Sequence, residues 1–400
     1  MVRSVSRFVL PAAAAVTNFG AVLLGLWAIS AFTNDHGAQV ALLNVWAIWG
    51  VGLGLWGNAG LLSAKIDNEP WHRPRHLALA AVISLTTAVL LASLQRQLFD
   101  SRASWGILCS VSIGAVYILG RQRGSLTLAR RGGLALGGTA LENVLRALLL
   151  LFVLQTGNTA LGALAIVAPI GITFFAFTWL VRADPPLQLD ASPKSGHSIA
   201  HGLLAGIPAV LAYGVVPGLT LLGQTTDLDL IALTATVLRG PLVVVAFLAP
   251  WILQRVDELS VSRRRRTIGV SCLIVVAQVV VSFLADLDNL AALISSAGAA
   301  AISALGAYFV VMTSTAARGG TTPLSIGAVA ALVSMALLVV LRGESDALTF
   351  LPVSIGSLTI AGLLELTTPS DQAGGSVDKE PASDDTSRRP ASSRIENRAA

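Results

Sequence analysis

Apolar runs recur from Phe8 almost to Glu365, most of them 17 to 25 residues long and separated by short polar breaks, and no other feature restricts the fold as tightly. A helix needs about 20 residues to cross a hydrocarbon core of roughly 30 Å, so the run lengths match membrane spans. A β-barrel would show alternation of apolar and polar residues, and that period is absent. Composition agrees: the 400 residues are 54% hydrophobic and only 12% charged, whereas soluble proteins carry about a quarter charged residues. The expected fold class is all-α, a polytopic membrane protein of about twelve spanning helices.

The expected spans are Phe8 to Phe32, Gln39 to Ala64, Leu77 to Leu94, Ser104 to Gly120, Gly133 to Leu154, Thr159 to Val181, Ile199 to Leu222, Leu230 to Leu253, Thr267 to Ala285, Leu290 to Met312, Leu324 to Leu341 and Leu348 to Leu364. Turn chemistry marks the breaks, as in Asn34-Asp35-His36-Gly37, Gln155-Thr156-Gly157-Asn158 and Asp286-Leu287-Asp288-Asn289. The first run follows Arg3 and Arg7 as a signal peptide would, but its length and the spans after it predict an uncleaved first helix.

Of the 27 Lys and Arg residues, 22 fall on one side of this arrangement and only Arg96, Arg102 and Arg342 on the other. Such asymmetry predicts a multi-pass protein of the cell membrane with both termini in the cytoplasm. The net charge of +5 therefore reports orientation, not a nucleic-acid partner. The scarcity of lysine among the basic residues suggests a GC-rich bacterial genome.

Two shifts in composition divide the chain. Residues 182–198, with Pro185, Pro186 and Pro193, read as a cytoplasmic linker between two six-helix lobes, 1–181 and 199–366. Residues 367–400 have almost no large apolar side chain and read as a disordered cytoplasmic tail. A faint echo relates the lobes, because Leu43 to Asp67 can be laid on Leu233 to Asp257 without a gap. Six helices per half give a parallel repeat, one of the arrangements found in transporters.

Three ionisable residues lie clearly inside spans: Glu142 and Arg146 on the fifth and Arg239 on the eighth. A charge at the bilayer centre costs about 2.5–3.5 kcal/mol on insertion scales, so each needs a partner or a wet cavity. Glu142 and Arg146 stand four residues apart on one helix face and can pair. Either they neutralise each other and pin the helix to the bundle, or they line a central cavity. Arg239 has only Ala235, Thr236, Leu242 and Val243 as same-face neighbours, so its partner comes from elsewhere. An anionic substrate group fits that need; helix carbonyls or Glu142 itself are the structural alternative.

Asn18, Asn44, Asn58 and Gln278 sit mid-span and suit hydrogen bonding between helices. Pro208 and Pro217 on the seventh span and Pro241 and Pro250 on the eighth predict bent helices. Cys109 and Cys272 stand singly, and the five histidines lie near span ends or in loops, where a solvated surface is expected. No phosphate loop, H-E-x-x-H or G-x-S-x-G pattern occurs, so no cofactor, metal or enzymatic activity is expected.

Three stretches carry a family likeness: the basic start, first helix, short polar turn and second helix rich in Gly and small residues over Phe8 to Ala64; Gly120-Arg-Gln-Arg-Gly124 followed by Leu141-Glu142-Asn-Val-Leu-Arg146; and Ala232 to Pro241 with its Arg239-Gly-Pro. In them the chain resembles the polysaccharide exporters and O-antigen flippases of the multidrug/oligosaccharidyl-lipid/polysaccharide (MOP) superfamily. The resemblance implies two six-helix lobes around a cationic cavity that accepts an anionic polyprenyl-linked glycan and passes it across the membrane. It implies substrate contacts at Arg146 and Arg239 and ion coupling at Glu142.

The expected function is thus a flippase of lipid-linked oligosaccharide, or a polysaccharide exporter, working by alternating access among membrane lipid and beside glycan biosynthesis enzymes. The alternatives are a small-molecule or multidrug exporter, of the related multidrug (MATE) or the major facilitator type, and a non-transporting membrane partner of a glycan assembly complex. The major facilitator signature G-x-x-x-D-R-x-G-R-R is absent from the loop Ala64 to Arg75. A membrane glycosyltransferase would need a long outer loop, and the outer loops are short.

Overall fold

A computed structural model describes residues 2–183, apart from 68, 101 and 129–131, together with 213–226 and single positions between 199 and 276. All of these belong to one compact unit, and among them all regular structure is helical. Five of the helices are long and apolar enough to cross a membrane. Nearly all of spans eight and nine, the whole of spans ten to twelve, the linker between 184 and 198, Arg239 and the tail lie outside the described residues.

α1 covers Val2–Phe32. After a three-residue turn, α2 runs over His36–Gly52, a π-helical segment follows at Leu53–Gly57, and α3 continues over Asn58–Asp67. The second span is therefore one rod with a widened turn in its middle. Asp35 starts it: its side chain accepts from the Gly37 N–H at 3.1 Å, satisfying a backbone donor that the first helical turn leaves unpaired. α4 is Pro74–Ser93, opened by a proline that already holds a helical φ. The short α5, Gln95–Phe99, ends on Asp100 in the left-handed region.

α6 runs over Ala103–Leu128, α7 over Gly132–Gln155 and α8 over Gly162–Ala183. Gly157, at φ +74, makes the turn between α7 and α8 at the polar break expected there. α9, Val215–Leu221, belongs to the seventh span. Gly214, just before it, is still αR and bonded to the Val210 carbonyl at 2.7 Å, and Pro217 in its first turn has no N–H to donate to Tyr213; the other prolines of the expected bends, Pro208, Pro241 and Pro250, lie outside the described residues.

α6 is the central helix and α4 a peripheral one: 72% of the apolar window is buried in the first and 17% in the second. α6 approaches α3 backbone to backbone. A Cβ on Gly60 would meet the Tyr117 carbonyl oxygen at 2.1 Å, and one on Gly120 would meet the Gly57 oxygen at 2.2 Å. Small residues are what lets two membrane helices come so near, since water supplies no apolar driving force there. The second span also touches the seventh in this way, with Gly54 facing Ala209 and Gly50 facing the Tyr213 ring.

α7 is built inside out relative to a soluble helix. Leu134, Leu141, Leu148 and Phe152 are exposed along one side, while Glu142, Asn143 and Arg146 are buried on the other. In lipid that distribution places the polar stripe against protein and the apolar stripe against acyl chains.

Two expectations from the sequence need correction. The fourth span extends eight residues past Gly120, so Arg121 and Arg123 belong to a helix and not to a loop. His76 is 3% exposed, not solvated; it lies between the Tyr117 hydroxyl at 3.2 Å and Glu69 at 3.3 Å.

Candidate functional site

The site starts from the polar face of α7. About 1.5 Å of rise per residue puts Glu142 some 15 Å and Arg146 some 21 Å along the helix from Gly132, near its middle. Glu142 and Arg146 are separated by one turn and do pair: Arg146 Nη2 donates to Glu142 Oε1 at 2.7 Å. The other carboxylate oxygen, Oε2, accepts from Arg123 Nη2, also at 2.7 Å. One carboxylate thus bridges two guanidinium groups held on separate helices, α6 and α7. Side-chain exposure is 2% for Glu142, 0% for Arg146 and 11% for Arg123.

Arg146 is engaged on every side. Its Nε donates to the Ile166 carbonyl on α8 at 2.6 Å, and its Nη1 donates to Asn143 Oδ1. The face of the guanidinium lies 3.8 Å from the Trp49 ring on α2. Four helices, α1, α2, α7 and α8, therefore meet around this group, because Asn143 in turn donates to Asn18 on α1. Arg suits such a position, since its planar fork serves several acceptors while its flat face stacks. The exposed edge of the cluster is Arg123, whose guanidinium lies 5.9 Å from the Phe177 ring.

Nearby groups extend the polar layer. Gln122 donates to Thr178 on α8 at 2.8 Å. Arg121 donates to Ser63 on α3 at 2.8 Å and to the Glu69 carbonyl at 2.8 Å. Farther along the second span, Asn44 donates to the Leu98 carbonyl at 3.0 Å and accepts from Thr220 at 3.2 Å. Asn18 and Asn44 thus bond between helices, as their mid-span positions suggested.

Among the described residues, two guanidinium groups share the one Glu142 carboxylate. Protonating the bridge would leave two guanidinium groups facing a neutral acid, and α6 and α7 would lose the carboxylate that ties them together. Chemically the arrangement is a carboxylate that ties two helices through charge-assisted hydrogen bonds. Among the described residues no group of His, Cys, Asp or Glu could hold a metal ion.

No family model matches the chain, and no curated protein does. Solved structures do. The eukaryotic MATE transporter AtDTX14 superposes with a TM-score of 0.54 at 12% identity, over 91% of this chain and 95% of that one. The chain has the MATE transporter fold. An inward-facing multidrug resistance MATE family transporter of the MOP superfamily aligns over 88% of this chain and 93% of that one, at 14% identity and a TM-score of 0.49.

Within this MATE-type fold the sequence located Glu142 and Arg146 correctly as a facing pair. It missed Arg123, which counted only toward the basic loop. The available signal was helix continuity: Gln122 to Leu128 contains neither Gly-Pro nor a turn cluster that would end the fourth span at Gly120. The participation of Asn143 and Trp49 had no signal in sequence spacing, because each depends on which helix packs against which.

Proposed function

We propose that this protein is a membrane transporter that works by alternating access and moves an anionic amphiphile, a polyprenyl-linked oligosaccharide or a related polysaccharide. The observation that carries the reading is the buried Glu142 carboxylate bridging Arg123 and Arg146 at mid-span depth, inside a fold shared with MATE transporters. Guanidinium groups sunk at this depth suit a negative cargo better than a cationic one. Arg239, on the eighth span, is proposed as the second anion contact.

In the described conformation Arg146 is fully occupied by protein groups. Protonation of Glu142 is the proposed step that frees it: the carboxylate becomes a neutral acid, both guanidinium groups lose their counter-charge, and the anionic head of the cargo replaces it. Return of the proton to water restores the bridge and expels the cargo. Glu142 thereby acts as the coupling group.

A second reading, export of a small molecule as a MATE-type transporter, is favoured by one observation, the fold shared with the MATE transporter AtDTX14. Transport into proteoliposomes separates the two. Lipid-linked oligosaccharide and a cationic dye are offered in parallel, with and without a proton gradient. The proposal expects glycan movement that depends on the gradient and is lost in E142Q and R239Q. Movement of the dye alone, or glycan transport unchanged in R239Q, would overturn it.

A further inference from the structure

A groove of about 290 Å³ runs between α4, α6 and α8, lined by Ala80, Ser84, Gly114, Ala115, Gly171 and Phe174. Its walls are almost wholly apolar, and none of the Glu142 cluster contributes to it. The groove exists because the helices cross on small residues. Gly114 lets α6 approach α4 so closely that a Cβ there would meet Ser84 Oγ at 2.1 Å. On the α8 side Gly171 faces open space, with nothing within 4 Å of an added Cβ.

The surroundings are those of a lipid-facing surface. Val82, Leu85 and Val89 on α4 are exposed, as are Ile172, Phe175 and Trp179 on α8. An apolar furrow opening on hydrocarbon is filled by whatever the bilayer offers, because a void there forfeits dispersion contacts on one side. At about 290 Å³ it matches the lower end of ligand clefts, roughly 300–1,000 Å³, a size for one chain and not for a whole amphiphile.

One end of the groove carries charge. Arg73 caps α4 and Arg75 follows Pro74, so Ala80 lies about 7.5 Å along the helix from Arg75. His72 and Arg73 are exposed, and the Arg75 side chain is 51% exposed although it pairs with Glu69. Trp71, two residues before Arg73, stacks edge-on with the groove residue Phe174, 5.6 Å between centroids, which brings this end of the chain segment to the groove. An apolar slot ending under exposed arginines has the polarity of a single phospholipid with a negative head.

We propose that this groove binds one anionic phospholipid of the surrounding membrane, one acyl chain between α4 and α8 and its phosphate at Arg73 and Arg75. The inference is independent of what the protein transports. It makes the first half of the chain sensitive to membrane lipid composition.

Native mass spectrometry of the full chain, released from micelles containing phosphatidylglycerol or phosphatidylcholine at equal concentration, tests it. The expected result is retention of one phosphatidylglycerol at least tenfold above phosphatidylcholine. In G171W, which puts a large side chain at a groove position whose Cβ meets nothing within 4 Å, retention falls to background; in R73Q/R75Q the preference between the lipids disappears. If G171W is not recovered folded, A81F, at Ala81, which also lines the groove, fills the same slot from α4. Equal retention of both lipids by the native protein, or undiminished retention in the filled variant, overturns the proposal.

Discussion

Replacing Arg146 with methionine keeps most of the side-chain volume and removes the charge and every donor. The variant takes the Arg146 donors away from the Ile166 carbonyl, Asn143 Oδ1 and Glu142 Oε1, while the Arg123 bond to Glu142 Oε2 stays. Each orphaned buried acceptor costs about 1–3 kcal/mol, and removing one member of a buried ion pair costs about 3–5 kcal/mol. These contributions overlap, because Glu142 keeps one guanidinium, and hydrogen bonds between membrane helices average only about 0.6 kcal/mol. A net loss of about 3–5 kcal/mol is expected. Equilibrium unfolding in mixed micelles titrated with SDS measures it directly. The double variant E142Q/R146M should be less destabilised than the sum of the single variants, with a coupling of about 1–3 kcal/mol. R146K should fall between native and R146M, since an ammonium cannot serve Ile166 and Glu142 together or lie flat on Trp49. An R146M protein within about 0.5 kcal/mol of native, the range for surface changes, would refute the view that this cluster holds four helices together.

The Asn18–Asn143 contact between α1 and α7 should show a coupling of about 0.6–1.7 kcal/mol in an N18L/N143L cycle, read in the same unfolding titration. Gly60→Ala should destabilise by about 1–3 kcal/mol because its Cβ would strike the Tyr117 carbonyl, whereas Gly171→Ala should melt like the native protein. Alkaline phosphatase joined after Thr33 should be active outside the cell, and the same enzyme joined after Ala400 should be inactive; the reverse pattern would invert the proposed orientation.

Much of the described half was legible in sequence because a bilayer leaves a chain few choices. Length and polarity of each run decide which segments become spans, so the helices covering Gln39 to Ala64, Leu77 to Leu94, Gly133 to Leu154 and Thr159 to Val181 emerged within a few residues of their expected ends. The fourth span was misjudged at its end because Arg121 and Arg123 look like loop charges to any hydropathy window. The i, i+4 spacing of Glu142 and Arg146 was enough to predict their pairing, since that contact is made within one helix.

What sequence could not decide was everything made between helices. Glu142 turns its second oxygen to Arg123 only because α6 continues past Gly120 and lies beside α7. Trp49 lies against Arg146, and His76 is shut in with Tyr117 and Glu69, only because particular spans are neighbours in the bundle. In lipid, apolar faces attract one another no more than they attract acyl chains. Helix partners are therefore chosen by the fit of small residues and a few polar contacts, and that choice exists only in three dimensions.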